Sequence, residues 1–230
     1  MFVLLTIASS MATAQINLKK LKKSVTGESL TTEEIAAGLK EALTNGVSKG
    51  SDLVSQLDGY YKNPEIKIPF PPEVKQVETS LRQIGLGSEV DRFVESLNRA
   101  AEDAAKEAKP IFVTAIKQMT IQDAWSILKG KQDEATQYLS RTTSPLLKEK
   151  FKPVIRQSLD KVNATKYYSD LIKTYNKIPL VQKVNPNLDE YATEKAIQGL
   201  FVMIAKEEKN IRANPGARTT ALLKKVFEQQ

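Results

Sequence analysis

Residues 88–119 read SEVDRFVESLNRAAEDAAKEAKPIFVTAIKQM. Their apolar positions (Val90, Phe93, Val94, Leu97, Ala101, Ala104, Ala108, Phe112, Ala115, Ile116 and Met119) recur at steps of three and four. That is the stripe of a 3.6-period helix packed along one side. A continuous helix here would run about 48 Å at 1.5 Å per residue. Ser88 reads as its N-cap, with Asp91 in the first turn, where a carboxylate is favoured. Large side chains occupy both ends and alanines the middle, so a second helix can approach closely at the waist. Pro110 lacks an amide donor and collides with the carbonyl four residues earlier, which predicts a kink or two abutting helices. The rest of the chain is expected to pack around this stretch.

On its C-terminal side, Thr120 with Asp123 predicts a capped short helix over 121–128, closed by Gly130. Ala135, Tyr138 and Leu139 mark another short helix. Ser144-Pro145 reads as an N-cap with Pro at the first helical position, opening a helix through Phe151 and Leu159 with a second kink at Pro153. A further helix spans 163–178 and ends at Pro179. Asn187-Leu188-Asp189-Glu190 reads as a capping box for a helix through Ile211, apolar enough to be buried on more than one side. Asn214-Pro215 is expected to start the last helix.

On the N-terminal side, Thr31-Thr32-Glu33-Glu34 is a capping box, and the helix it opens runs to the turn at Asp58-Gly59. Residues 60–72, YYKNPEIKIPFPP, are too rich in proline for a helix and read as an extended strap. Ile66, Ile68 and Phe70 alternate there with Lys67 and Pro69, so one side can lie on a core. A helix over 73–84 follows and stops at Gly85-Leu86-Gly87. The chain therefore reads as all-α, a single multi-helix domain over 31–230 around a long, Pro-kinked central helix, with the strap wrapped on it.

Residues 1–14 read as a signal peptide, an apolar run followed by the A-x-A pattern Ala12-Thr13-Ala14. The run is too short to span a bilayer, and cleavage would leave Gln15 first. Residues 15–30 read as a weakly ordered leader. The expected location is periplasmic or secreted, with no transmembrane segment in the mature chain.

Composition narrows the chemistry. The 230 residues contain no His and no Cys. Imidazole bases, thiolate nucleophiles, disulfides and most zinc sites are thereby excluded. The 34 Lys and Arg against 27 Asp and Glu give +7, interleaved along helices apart from a cluster at Lys19–Lys23. No basic helix carries interleaved aromatics, so nucleic acid is not an expected partner. No phosphate loop, dinucleotide turn, metal-ligand spacing or nucleophile elbow is present, and no cofactor is implied.

Three groups of residues carry candidate sites. Arg92, Glu95 and Arg99, with Asp91, Asn98 and Glu102, share a polar helix face that suits an anion or a carboxylate base, or an ion-pair network between helices. Arg212 and Arg218 flank the turn at Asn214-Pro215 and could hold phosphate or carboxylate, or cap helix ends; Arg141-Thr142-Thr143 invites the same two readings. Tyr167 and Tyr168, with Tyr60, Tyr61 and Tyr175, could line a groove for an apolar or sugar-like ligand, or belong to the core.

Several strings carry a family resemblance: EIAAGLKEAL (34–43), NPEIKIPFP (63–71), LRQIGLGSEVDRFVESLNRAAEDAA (81–105), KPIFVTAIKQMTIQDAWSILKG (109–130), ATQYLSRTT (135–143), YNKIP (175–179) and TEKAIQGLFVMIAKEEKNIRANPGARTTALLKKVF (193–227). Together they resemble the bacterial domain of unknown function 4197. The resemblance implies an exported protein of Gram-negative bacteria and carries no activity or catalytic residue. Some relatives have a lipoprotein-type Cys, absent here. The function expected on these grounds is non-enzymatic binding of a lipid-like, amphipathic ligand or of an envelope partner. An enzyme using the carboxylate and arginine face, or a scaffolding module, remains the alternative.

Overall fold

The structure, a computed structural model, describes residues 30–177, 179–180, 182–218 and 220–228. The signal-peptide reading over 1–14 and the leader reading over 15–30, except for Leu30, lie outside the described residues. Among the described residues nine α-helices follow one another: α1 (Thr32–Val54), α2 (Lys75–Gln83), α3 (Gly87–Ala105), α4 (Ala108–Gln118), α5 (Ile121–Lys129), α6 (Glu134–Asp160), α7 (Ala164–Tyr175), α8 (Leu188–Ala213) and α9 (Ala221–Phe227). Single 3-10 turns lie at Pro72–Val74 and Pro215–Ala217, and no strand occurs among the described residues.

The 88–119 stretch is two helices, α3 and α4, separated at Lys106 and Glu107. The break precedes Pro110 and leaves it third in α4, where an amide has no intrahelical partner to lose. Ser88 is not the N-cap, because α3 already begins at Gly87. Asp91 instead pairs with Arg82 Nη2 of α2 at 2.9 Å.

The centre of the fold also differs from the sequence expectation. It is formed by α6 and α8, which pack most extensively on each other, with α3 against α6 and α1 against α8. The two predicted helices around 135–139 and 144–159 are one, α6, running through Pro145 and Pro153. Leu139, Leu147, Phe151, Ile155 and Leu159 lie four residues apart or eight, all fully buried. Their burial, at about 1.5–3 kcal/mol each, outweighs two helix prolines at about 3 kcal/mol each. Both prolines face solvent, where water can take the orphaned carbonyls.

Along α8, Leu188, Ala192, Ala196, Leu200, Met203, Ile204 and Ile211 are buried, with Asp189, Thr193, Glu207, Glu208 and Arg212 buried beside them. The helix is enclosed on several sides, as its broad apolar stripe predicts. Asn187 supplies no side-chain cap to it. The Thr120–Asp123 capping box of α5 is formed in both directions, at 3.0 and 2.9 Å. The predicted helix at Asn214-Pro215 is only the 3-10 turn; α9 starts at Ala221, where the Thr220 hydroxyl accepts from the Leu223 amide at 3.2 Å.

Candidate functional site

A groove of about 680 Å³ opens between α3 and the α6–α7 corner. One wall is the α3 face bearing Glu89, Arg92, Phe93, Glu95, Ser96, Arg99 and Asp103. These positions span fifteen residues of helix, about 21 Å of wall. The other wall is Ser158, Lys161, Val162, Ala164 and Tyr167. The corner is tight because Asn163 takes the left-handed conformation at φ 55°, which Asn tolerates better than most side chains. One end is tied where the Ser158 hydroxyl donates to Asp103 at 3.1 Å. Phe93 is anchored between Phe70 and Tyr168, with ring centroids 5.1 and 6.1 Å away. Val162 and Tyr167 stay 56% and 67% exposed, apolar surface that the fold leaves in water.

The acids of the groove are already engaged. Burial alone would raise the Asp103 carboxyl, but hydrogen bonds from Lys106 and Ser158, and the charges of Lys106 and Lys161, hold it below the ordinary range. Glu89 is also held low, first by the Ser88 hydroxyl. Glu95 accepts from Arg99 Nη2 at 3.0 Å. The same guanidinium binds Asp58 and Glu102, each at 2.8 Å. Among the described residues, no carboxylate comes within 4.0 Å of Arg92 or Lys161. Among those residues, Arg92 and Lys161 are thus the two cations of the groove without an ion pair, and Glu89, whose hydrogen bond comes from the neutral Ser88 hydroxyl, is its one acid without one.

The remainder of the polar α3 face holds the 60–72 segment. Asn98, fully buried, accepts from the Ile68 amide at 2.8 Å and donates to the Ile68 carbonyl at 2.8 Å, as a neighbouring strand would. Glu102 accepts from the amides of Tyr60 and Tyr61 at 3.0 and 3.1 Å. Tyr60 is buried and donates its hydroxyl to the Ala196 carbonyl at 2.6 Å. The face read as one cluster therefore divides: Asp91 points to α2, Arg92 and Glu95 enter the groove, Asn98 and Glu102 serve the core, and Arg99 joins the last two.

The C-terminal arginines lie elsewhere. Arg212 is buried, pairs with Glu208 at 2.9 Å, and donates to the carbonyls of Ile127 and Leu128 at 2.8 and 3.5 Å. Arg218 donates to the carbonyls of Ile211 and Arg212 at 3.2 and 2.9 Å, with its guanidinium over the Phe227 ring. Thr142 and Thr143 donate to carbonyls of their own helix. Of the candidate residues, the structure brings Arg92, Glu95, Arg99 and Tyr167 into one groove and sets Tyr168 behind Phe93.

Lys161, Val162, Ser158 and Asp103 complete the groove without having been singled out in the sequence. The Lys161-Val162-Asn163 corner was legible only as part of a helix break, and its position opposite α3 is a long-range fact. Among the described residues no group of three Asp or Glu is placed to hold a metal ion, and no helix is long and apolar enough to cross a membrane.

Comparison with curated proteins and with solved structures finds no match. A family model described as protein of unknown function (DUF4197) matches residues 29–228, nearly the whole chain, and the chain belongs to that family.

Proposed function

We propose that this protein is a non-catalytic binding protein that takes an elongated amphipathic ligand in the groove between α3 and the α6–α7 corner. The observation that carries this reading is the groove itself: about 680 Å³, walled by Phe93, Val162, Ala164 and Tyr167 with charged groups along its length. Its volume lies in the range that encloses one small ligand, and an apolar body with a few polar points is the usual chemistry of such sites.

The enzyme alternative is less well supported. A general acid or base working near neutral pH needs a carboxyl raised toward that pH. Asp103 and Glu89 are shifted the other way. The scaffold alternative gives no reason for exposed apolar walls within a concave site.

The apolar run and A-x-A pattern in residues 1–14 support a location in the cell envelope. N-terminal sequencing of the cellular protein tests it: Gln15 is the expected first residue, and an intact Met1 in the cytosol would overturn it.

For binding, native mass spectrometry of wild type and Val162→Glu with a single-chain lysophospholipid is the test. Val162 is exposed, so the substitution leaves the fold intact while charging the apolar wall. A one-to-one adduct on wild type, lost in the variant, is expected. Equal adducts, or none on wild type, would overturn the reading.

A further inference from the structure

We infer that the ligand of this groove is an anionic single-chain amphiphile, its carboxylate or phosphate head held by Arg92 or Lys161 and its chain lying along Phe93, Val162 and Tyr167. The inference rests on the groove-binding reading above and adds the charge and form of the ligand.

Charge complementarity is the ground for it. Three acids and three cations line the groove. Glu95 accepts from Arg99, Asp103 from Lys106 and Ser158, and Glu89 from Ser88. Arg99 is bound by three carboxylates. Arg92 and Lys161 carry charge with no carboxylate or hydrogen-bond acceptor of the described residues at contact distance, against one acid, Glu89, whose partner is a neutral hydroxyl, so the unpaired charge of the groove is net positive. Both side chains are exposed, so each can meet an anion without the cost of desolvating a paired partner.

Form follows from position. Arg92 and Asp103 are eleven residues apart on α3, about 16 Å along its axis, and Lys161 caps the end of α6 three residues beyond Ser158, whose hydroxyl is bonded to Asp103 at 3.1 Å. The cations therefore sit toward the two ends of the groove, with the aromatic and aliphatic surface between. A head at either end leaves one extended chain's length of apolar wall. A compact anion would touch a cation and leave that wall wet.

Isothermal titration of the full chain tests this with three probes below micelle formation: dodecyl phosphate, monolauroylglycerol as the neutral amphiphile of equal chain length, and inorganic phosphate. The proteins are wild type and Arg92→Gln/Lys161→Gln, with circular dichroism to confirm equal helix content. Dodecyl phosphate is expected to bind wild type at least tenfold more tightly than monolauroylglycerol, an advantage of the size one charge-assisted contact gives. The double variant should lose that advantage while its affinity for monolauroylglycerol is unchanged. Phosphate alone should give no measurable heat.

Equal affinity for the two amphiphiles on wild type would overturn the anionic assignment and leave the groove reading standing. Binding of neither amphiphile would overturn both. Phosphate binding as tightly as dodecyl phosphate would reduce the site to an ion site and overturn the amphiphile. An undiminished preference in the double variant would overturn the roles of Arg92 and Lys161.

Discussion

Glu208 and Arg212, one turn apart on α8, form a buried ion pair that holds two other helix ends. The Glu208 carboxylate accepts from the amides of Ala135 and Thr136 at 3.0 and 2.8 Å, at the start of α6. The Arg212 guanidinium donates to the Ile127 carbonyl at 2.8 Å, at the end of α5. Each charge thus meets the helix terminus of opposite partial charge. The α5–α6 connection is fixed from below by a single turn of α8.

Because both partners are buried, Glu208→Gln is expected to destabilise the protein by about 3–5 kcal/mol, the cost of an uncompensated buried charge. Urea denaturation measures it. A loss below about 1 kcal/mol would mean that the pair is solvated.

Gly199→Ala sets two effects against each other. Alanine in a helix interior gains about 1 kcal/mol over glycine. A Cβ at 199, however, would stand 2.7 Å from Tyr60 Cε1 and 3.1 Å from Ile66 Cβ. Tyr60 cannot withdraw, since its hydroxyl and amide are both bound. Overpacking of this kind costs about 1–3 kcal/mol, so a net loss is expected, with faster proteolysis at Lys67. A rise in melting temperature would show that the 60–72 segment yields.

That same segment shows how far the sequence could be read. The alternation of Ile66, Ile68 and Phe70 placed them on the core side, and all three are buried. Local chemistry carried the capping box of Thr120–Asp123 equally well. What it could not carry was the partner of each polar group. Asn98 and Glu102 look like surface residues beside Arg99 until the 60–72 backbone, some thirty to forty positions away, is laid across them. The prolines of α6 misled for a related reason, because a local helix breaker is overruled only by burial that the whole fold supplies. The groove was half legible: Arg92, Glu95, Arg99 and Tyr167 were named, while the opposing corner at Lys161 and Val162 carries no local signal.

Stability should be limited at both ends of the pH scale. Burial, reinforced by the Glu102 charge, pushes the Tyr60 hydroxyl well up, and burial with the Glu73 charge pushes Tyr168 up to about 12. In the unfolded chain tyrosine ionises near 10. Their contribution is therefore whole below pH 10 and is lost as pH rises toward the folded values. Asp58, held low by Lys62 and Arg99, and Asp103 work in the opposite sense, contributing above the unfolded carboxyl value and losing it as pH falls through the folded one. With no His in the chain, no side chain of ordinary pKa titrates between. Melting temperatures should be flat from about pH 5 to 9 and fall outside that window. A step near pH 6–7 would contradict it.

Arg218 caps the end of α8 with two donors. Arg218→Ala is expected to cost about 1–2 kcal/mol, equally with and without phosphate. Melting curves of both proteins under both conditions decide it. A wild-type stabilisation by phosphate that the variant loses would restore an anion site at this turn.

The most direct measurement of the groove is an NMR titration of isotope-labelled protein with dodecyl phosphate. The account predicts saturable shifts at Phe93, Ser96, Val162, Ala164 and Tyr167, with Tyr60 and Phe112 in the core unmoved. Shifts absent from these residues, or concentrated on another face of the protein, would contradict it.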